Sequence, residues 1–430
     1  MADAAQRHCG VAGMSVVRGW CPTAWRPMAA GDGLILRVRP RLARLTPAQA
    51  RTIAVVARTH GNGLIDLTNR AALQLRGLRE ADWPVALGAL VAAGLVDPDP
   101  VRESRALLVA PDWRESDDTH RIACVLLDRL DALPPLPGKI GIAIDAGREP
   151  VLTDSPADFR IERDATGGLI LRADGRAGGY ALTPGEETTA LIALAEWFVA
   201  SGGVAAGRMA RHVVPLPANL AGGATTPSVP AKAGAQDQAG HRLVVSGGLD
   251  SRLRGRTGDG VGLREGRASA GDHKTHPLRP TQGTAIGLPF GRADAAMLAD
   301  LADRAGVTGI RVTPWRNLLV EGLDPTAAGL PACAAADLAV DACVGAPACP
   351  QATVATRALA LRLAPHVAGR LHVSGCAKGC ARAAPADFVA TGRDGRFDLA
   401  FHARAGDPAA VAGLSPDDLI ALLESPSRVA

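Results

Sequence analysis

The chain has 430 residues, 47% hydrophobic and 21% charged, a composition that suits two to four globular domains and excludes a fibrous or wholly disordered protein. Aromatic residues make up 3%, with a single tyrosine, which argues against base-stacking platforms for single-stranded nucleic acid. The formal net charge of +4 arises between Gly222 and Pro280, where nine Lys and Arg stand against five acids, so the rest of the chain is balanced and a DNA-binding reading loses its main support.

No apolar run nears the ~20 residues of a membrane span, and the opening MADAAQRHCG lacks a charged segment followed by an apolar one. The expectation is a cytoplasmic protein with neither membrane nor nucleic-acid partners.

In chain order, GLILRVRP from Gly33 alternates as a strand does. Thr46 then caps a helix with Pro47 at its first position and Gly61 just past its end. IDLTNRAALQLRGL follows from Ile65, and IRVTPWRNLLVEGL from Ile310 matches it without gaps at an offset of 245. The second copy has the same plan, with AIGLPFG leading into the helical ADAAMLADLADRAG, closed by Gly306. A further repeat joins the segments from Gly138 and Gly369, which share PADF at Pro156 and Pro385. Each PADF leads into a hairpin, the second turning at Asp394-Gly395. Between the halves, residues 216–284 are rich in Gly, Pro, Ala and Arg and resemble translated bacterial repeat elements. They read as a disordered insert with no chemistry of its own. The chain is therefore a pseudo-twofold duplicate.

The duplicate is lopsided in its cysteines. Cys9, Cys21, Cys124 and Cys333 are scattered, while Cys343, Cys349, Cys376 and Cys380 form C-x5-C and C-x3-C pairs within 38 residues. Four converging thiolates suit an iron–sulfur cluster or zinc, and buried unliganded thiols are the third reading. The short C-x2-C knuckles of zinc ribbons are missing here. An Ala/Leu-rich helix is expected just after Cys349, its N-terminal dipole towards the thiolates. Gly375 and Gly379 should let backbone N–H groups approach the sulfurs, although a plain turn would require the same glycines. The ten histidines show no H-x-D or H-x-x-H spacing outside the insert. His372 reads as a strand-packing residue before a ligand, and Cys21 as either a cap on a cleft or an inert thiol.

C-x5-C followed by C-x3-C in the second half of a duplicated chain resembles the nitrite and sulfite reductase family, over nearly everything except the insert. That resemblance implies an α+β fold of two ferredoxin-like half-domains, at 15–95 and 285–330. Two α/β cofactor-binding domains, at 97–215 and 331–430, would complete it. It also implies a 4Fe-4S cluster on Cys343, Cys349, Cys376 and Cys380, and sirohaem in the reductases. Within the family, CPTAWRPMAAGDGLILRV at Cys21, CVGAPACPQA at Cys343 and HVSGCAKGCA at His372 are more similar to the precorrin-3B synthases of aerobic cobalamin biosynthesis. The N-G-C-P-N-x-C-type motif commoner among the reductases is lacking.

Family anion sites carry two arginines and two lysines. Arg70, Arg105 and Lys139 match three of them, and Gly141 stands where the second lysine would be. Arg37, Arg39, Arg76 and Arg316 are further candidates for a tetrapyrrole's carboxylates, with a solvated surface arginine as the plain reading of each. The activity implied is an oxygen-dependent monooxygenation of precorrin-3A, with a mononuclear non-haem iron besides the cluster. Electrons would come from a reduced pyridine nucleotide through an unidentified donor. A sirohaem-dependent sulfite or nitrite reductase is the alternative, and a cluster-bearing electron carrier the third.

Overall fold

A computed structural model describes residues 21–217, 283–326, 329 and 335–424. The expected insert at 216–284 thus falls almost wholly outside the described residues, as do Cys9 and Cys333.

Helix Pro47–His60 forms as its sequence dictates. The Thr46 side chain accepts from the Gln49 backbone N–H at 3.2 Å, and the Gln49 side chain accepts from the Thr46 N–H at 3.0 Å. This reciprocal cap satisfies two N–H groups that the first turn leaves without partners. Ala50, Ile53, Ala54 and Ala57 fall on one face and are buried. The matching helix of the second half, Ala295–Asp303, is capped by Asp294 at 2.8 Å. Gly306, at φ +83°, then turns the chain. The two helices share one apolar core, with Ile53 and Ala57 beside Leu298 and Leu301.

Under these helices lie two antiparallel sheets that trade strands. In the first half, Met28–Ala30, Gly33–Val38, Leu73–Leu78 and Leu64–Leu67 pair in that order, and the second half supplies the last strand, Arg292–Asp294. In the other sheet, Thr284–Gly287, Asn317–Glu321 and Gly309–Val312 are completed by Arg44–Leu45 from the first half. Each donated strand precedes a capped helix and follows a residue with left-handed φ, Leu42 at 53° and Phe290 at 58°.

Two flanking sheets repeat one topology. Ala106–Val109, Gly141–Asp145 and Phe159–Arg163 run parallel, and Leu169–Ala173 and Tyr180–Ala181 return antiparallel. Val340–Ala342, Leu371–Ser374 and Ala386–Arg393 are likewise parallel, with Arg396–Ala403 and Val411–Leu414 antiparallel. The aspartate of each PADF does the same work: Asp158 accepts from the Gly141 N–H at 2.9 Å and Asp387 from the Arg370 N–H at 2.6 Å. Both fix the start of the neighbouring parallel strand. The Asp394-Gly395 turn has positive φ at both residues, 49° and 80°, as a two-residue hairpin requires.

One expectation is corrected. The helix after the first cysteine pair is Arg357–Leu363 and does not begin just after Cys349. Residues 346–354 instead form a loop with its own backbone bonds: Ala346 N–H to Val354 O, Cys349 N–H to Gly345 O, and Thr353 N–H to Gly375 O. With Pro347 and Pro350 lacking N–H groups and these donors engaged, no helical turn starts there. Among the described residues, no helix is long and apolar enough to cross a membrane.

Candidate functional site

The predicted site residues gather in two places. The first is a cluster of arginines. Arg37 projects from strand Gly33–Val38, Arg39 stands just beyond it, and Arg70 sits in the crossing between strands Leu64–Leu67 and Leu73–Leu78. Arg39 and Arg70 each feel Arg37 and Cys21, and Arg39 also feels Arg70, which places all four side chains in one neighbourhood. Burial, followed by the charge of Arg37, pulls Arg39 down to about 10. Arg70 is lowered as well, first by burial and then by Arg208. Crowded, dehydrated cations of this kind favour an anionic ligand.

The acid nearest to Arg39 does little to offset them. Glu103 Oε1 is 3.7 Å from the Arg39 guanidinium, longer than a hydrogen bond. The Glu103 side chain is 5% exposed, and burial pushes its pKa up to about 7. Among the described residues, Arg37 Nε, Arg105 Nε and Glu103 Oε1 are buried without a hydrogen-bond partner. Buried polar atoms are rarely left so, and a carboxylate-bearing ligand would satisfy the two guanidinium N–H groups.

Arg70 Nη2 donates to the Lys139 carbonyl at 2.9 Å, and Arg208 donates to the same oxygen at 2.9 Å while pairing with Asp158 at 3.1 Å. Lys139 therefore adjoins the cleft through its backbone. Arg208 was not legible beforehand, since RMARH matches no spacing. Gly141 has a physical reason here. A Cβ at that position would lie 3.3 Å from the Pro156 carbonyl and 3.7 Å from the Arg70 guanidinium carbon. A side chain there would press on the Pro156 carbonyl and stand against Arg70.

The other candidates lie apart. Arg105 donates to the Leu133 carbonyl at 3.2 Å and feels Asp131 as its charged neighbour. Arg76 is buried and chelates Asp32, with Nε–Oδ2 2.9 Å and Nη2–Oδ1 2.8 Å. Arg316 pairs with Asp341 at 3.1 Å and donates to the Ala381 carbonyl at 2.7 Å.

The second centre is the cysteine cluster. Strand Leu371–Ser374 delivers Cys376, and the Gly375 N–H donates to Cys343 Sγ at 3.2 Å, so the two motifs meet across 32 residues of sequence. The Cys380 thiol is raised, first by burial, against the pull of Lys378, and further by Cys343, Cys376 and Cys349. All four sulfurs therefore share one neighbourhood. Among the described residues, no three His, Cys, Asp or Glu gather as they would around a single ion. A 4Fe-4S cube offers each thiolate its own iron, so four thiolates that adjoin without converging on one point, one already holding an N–H donor, fit such a group. His372 is fully buried under this loop, both ring nitrogens lack partners, and burial holds its pKa down at about 4, so the imidazole is neutral.

Register shows what the half without the cluster cysteines has instead. Ile142 and Leu371 each pair with the phenylalanine of a PADF, and through them Ala110 stands where Cys343 does and Gly147 where Cys376 does.

Comparison with known proteins places these features. Residues 26–93 match the nitrite/sulfite reductase ferredoxin-like half domain. A precorrin-3B synthase from Sinorhizobium sp. is 28% identical over 433 aligned positions, 90% of this chain and 83% of that protein. The chain is thus similar to a precorrin-3B synthase over most of its length and to the reductases over its first half-domain. Another relative, the assimilatory ferredoxin-dependent nitrite reductase of Haloferax mediterranei, is 32% identical over 31% of this chain and 27% of its own length. The NirA protein of Mycobacterium tuberculosis has the same fold, with a TM-score of 0.56 over 92% of this chain and 80% of that one at 18% identity. The duplicated α+β architecture is thus that of the nitrite and sulfite reductases.

Proposed function

We propose that the chain is an oxygen-dependent monooxygenase that converts precorrin-3A to precorrin-3B in aerobic cobalamin biosynthesis, hydroxylating C20 and closing a γ-lactone from a ring-A acetate. The observation that carries this reading is the similarity to a precorrin-3B synthase across nine-tenths of the chain. The cleft agrees with it. A tetrapyrrole with many carboxylates needs paired N–H donors in a dry setting, and Arg37, Arg39 and Arg70 offer them. Arg70, braced on the Lys139 carbonyl, would orient one carboxylate, and Arg105 and Lys139 would meet others at the rim. Arg76 and Arg316, held by carboxylates of the chain, would shape the site from behind.

The reaction consumes one O2, two electrons and two protons, placing one oxygen atom on carbon and releasing the other as water. The electrons derive from a reduced pyridine nucleotide through a separate donor. Cys343, Cys349, Cys376 and Cys380 would hold a 4Fe-4S cluster, which supplies one-electron transfer and, with every iron ligated by thiolate, no open position for oxygen. A mononuclear non-haem iron is the expected oxygen centre; no described residues gather for it, and no ligand is assigned. The protein is read as cytoplasmic, with no nucleic-acid or membrane partner.

The alternative is a sirohaem-dependent sulfite or nitrite reductase, favoured by the half-domain match and by the partial nitrite reductase alignments. Anaerobic purification with iron, sulfide and macrocycle analysis separates the two. Roughly four irons plus one, no extractable sirohaem, and incorporation of isotopic oxygen from O2 into precorrin-3A support the monooxygenase. One sirohaem per chain, with turnover of sulfite or nitrite, supports the reductase.

A further inference from the structure

Arg76 is too thoroughly engaged to bind substrate, and its partners lead elsewhere. It chelates Asp32, whose neighbour Gly31 lies in the turn between strands Met28–Ala30 and Gly33–Val38. The Gly31 N–H donates to the Ala348 carbonyl at 2.9 Å, one residue before Cys349. The approach is close enough that a Cβ on Gly31 would lie 2.3 Å from the Pro347 carbonyl oxygen. On its other side Arg76 reaches Asp66 at 3.5 Å. Asp66 also holds Arg357 at 3.1 Å, at the first turn of the helix that follows the cysteine loop. The Arg76 side chain is 4% exposed and that of Asp66 9%, so the network lies out of water, where charged contacts are strong and breaking one partner is costly.

We propose that Arg76 is a positioning residue for the Cys343–Cys349 loop, fixing it at Ala348 through Asp32 and Gly31 and beyond it at Arg357 through Asp66. The inference rests on the reading of the four cysteines as a cluster site. It differs from that reading in assigning the rigidity of the first cysteine pair to a residue 267 positions before Cys343. A cluster on a loop free to shift is open to oxygen and solvent, and groups that orient ligands from behind typically change metal affinity ten- to a hundredfold.

The test uses the full chain, purified anaerobically as wild type, Arg76→Gln, Asp32→Ala and Arg76→Lys. Iron and acid-labile sulfide, the electron paramagnetic resonance spectrum of the reduced protein, and the rate of visible bleaching in air are compared with the melting temperature. The expected result is that Arg76→Gln and Asp32→Ala bleach about tenfold faster with an altered spectrum, while Asp32→Ala melts lower than wild type but still in one cooperative step above the assay temperature and Arg76→Lys restores part of the loss. Should Arg76→Gln fail to fold, Asp32→Ala decides. A wild type holding about four irons whose variants match it in bleaching and spectrum overturns the role of Arg76 alone. A wild type without iron and sulfide overturns the cluster reading and this inference together.

Discussion

Single residues in the cleft answer to charge more than to shape. Glu103 faces Arg39 and accepts the Asp97 N–H at 3.0 Å, with Asp97 held by Arg102 at 3.1 Å, while Arg37, Arg70 and Cys21 complete the surroundings of Arg39. Below its pKa of about 7 Glu103 is neutral and leaves Arg39 to a ligand; above it, the carboxylate competes. Affinity for a carboxylated porphyrin should thus fall about fivefold between about pH 6 and about pH 8.5, and Glu103→Gln should remove the fall, as read by absorbance titration. Because burial raises this carboxyl in the folded state, the same group lowers stability as pH climbs from the ordinary glutamate range to about 7. Arg70→Ala should weaken porphyrin binding about tenfold, roughly one charge-assisted hydrogen bond. Arg79→Ala, whose side chain is 78% exposed, should leave binding unchanged. The sequence allowed Arg37, Arg39, Arg70, Arg76 and Arg316 to be named, but not sorted. Arg76 and Arg316 differ from Arg70 through Asp32, Asp66 and Asp341, and which acid meets which base is decided only when remote segments pack.

Elements were readable where their signals are local. Thr46, Pro47 and Gln49 announce the start of helix Pro47–His60 within four residues, because each acts on the N–H groups of the first turn. Thr46→Ala should cost about 1 kcal/mol, measured as a shift of the denaturant midpoint without a change in slope. The helix placed after Cys349 shows the opposite case. Its true start at Arg357 follows a loop tied down by the bond from Thr353 to Gly375, across the motif gap. No window of sequence contains both partners. The traded strands were equally hidden, since two or three residues cannot display a period of two.

At the scale of the molecule, the repeat at an offset of 245 exposed the duplication, but not its interlocking. It aligns Asp66 with Arg311 and Arg76 with Glu321, so the two halves carry the same ion pair with reversed signs. Arg292 pairs with Asp66 at 2.8 Å on one side and Arg44 joins Arg311 around Glu321 on the other. Where the cysteine loop would be, the first half has Trp113, with the Arg311 guanidinium 4.1 Å over its ring. Each central sheet ends on a strand lent by the other half, so neither central sheet should close alone. Residues 21–95 expressed singly should show no cooperative unfolding transition, and co-expression of 21–217 with 283–424 should yield a copurifying pair. Cooperative melting of 21–95 by itself would count against the interlock.

That exchange also sets a timetable for biosynthesis. The ribosome finishes the cationic cleft's own residues early, yet the edge that closes their sheet emerges only with Arg292–Asp294, and the thiolates later still. The nascent N-terminal portion must wait, incomplete, for its counterpart, and the four clustered cysteines can meet only after the arginines have been walled in.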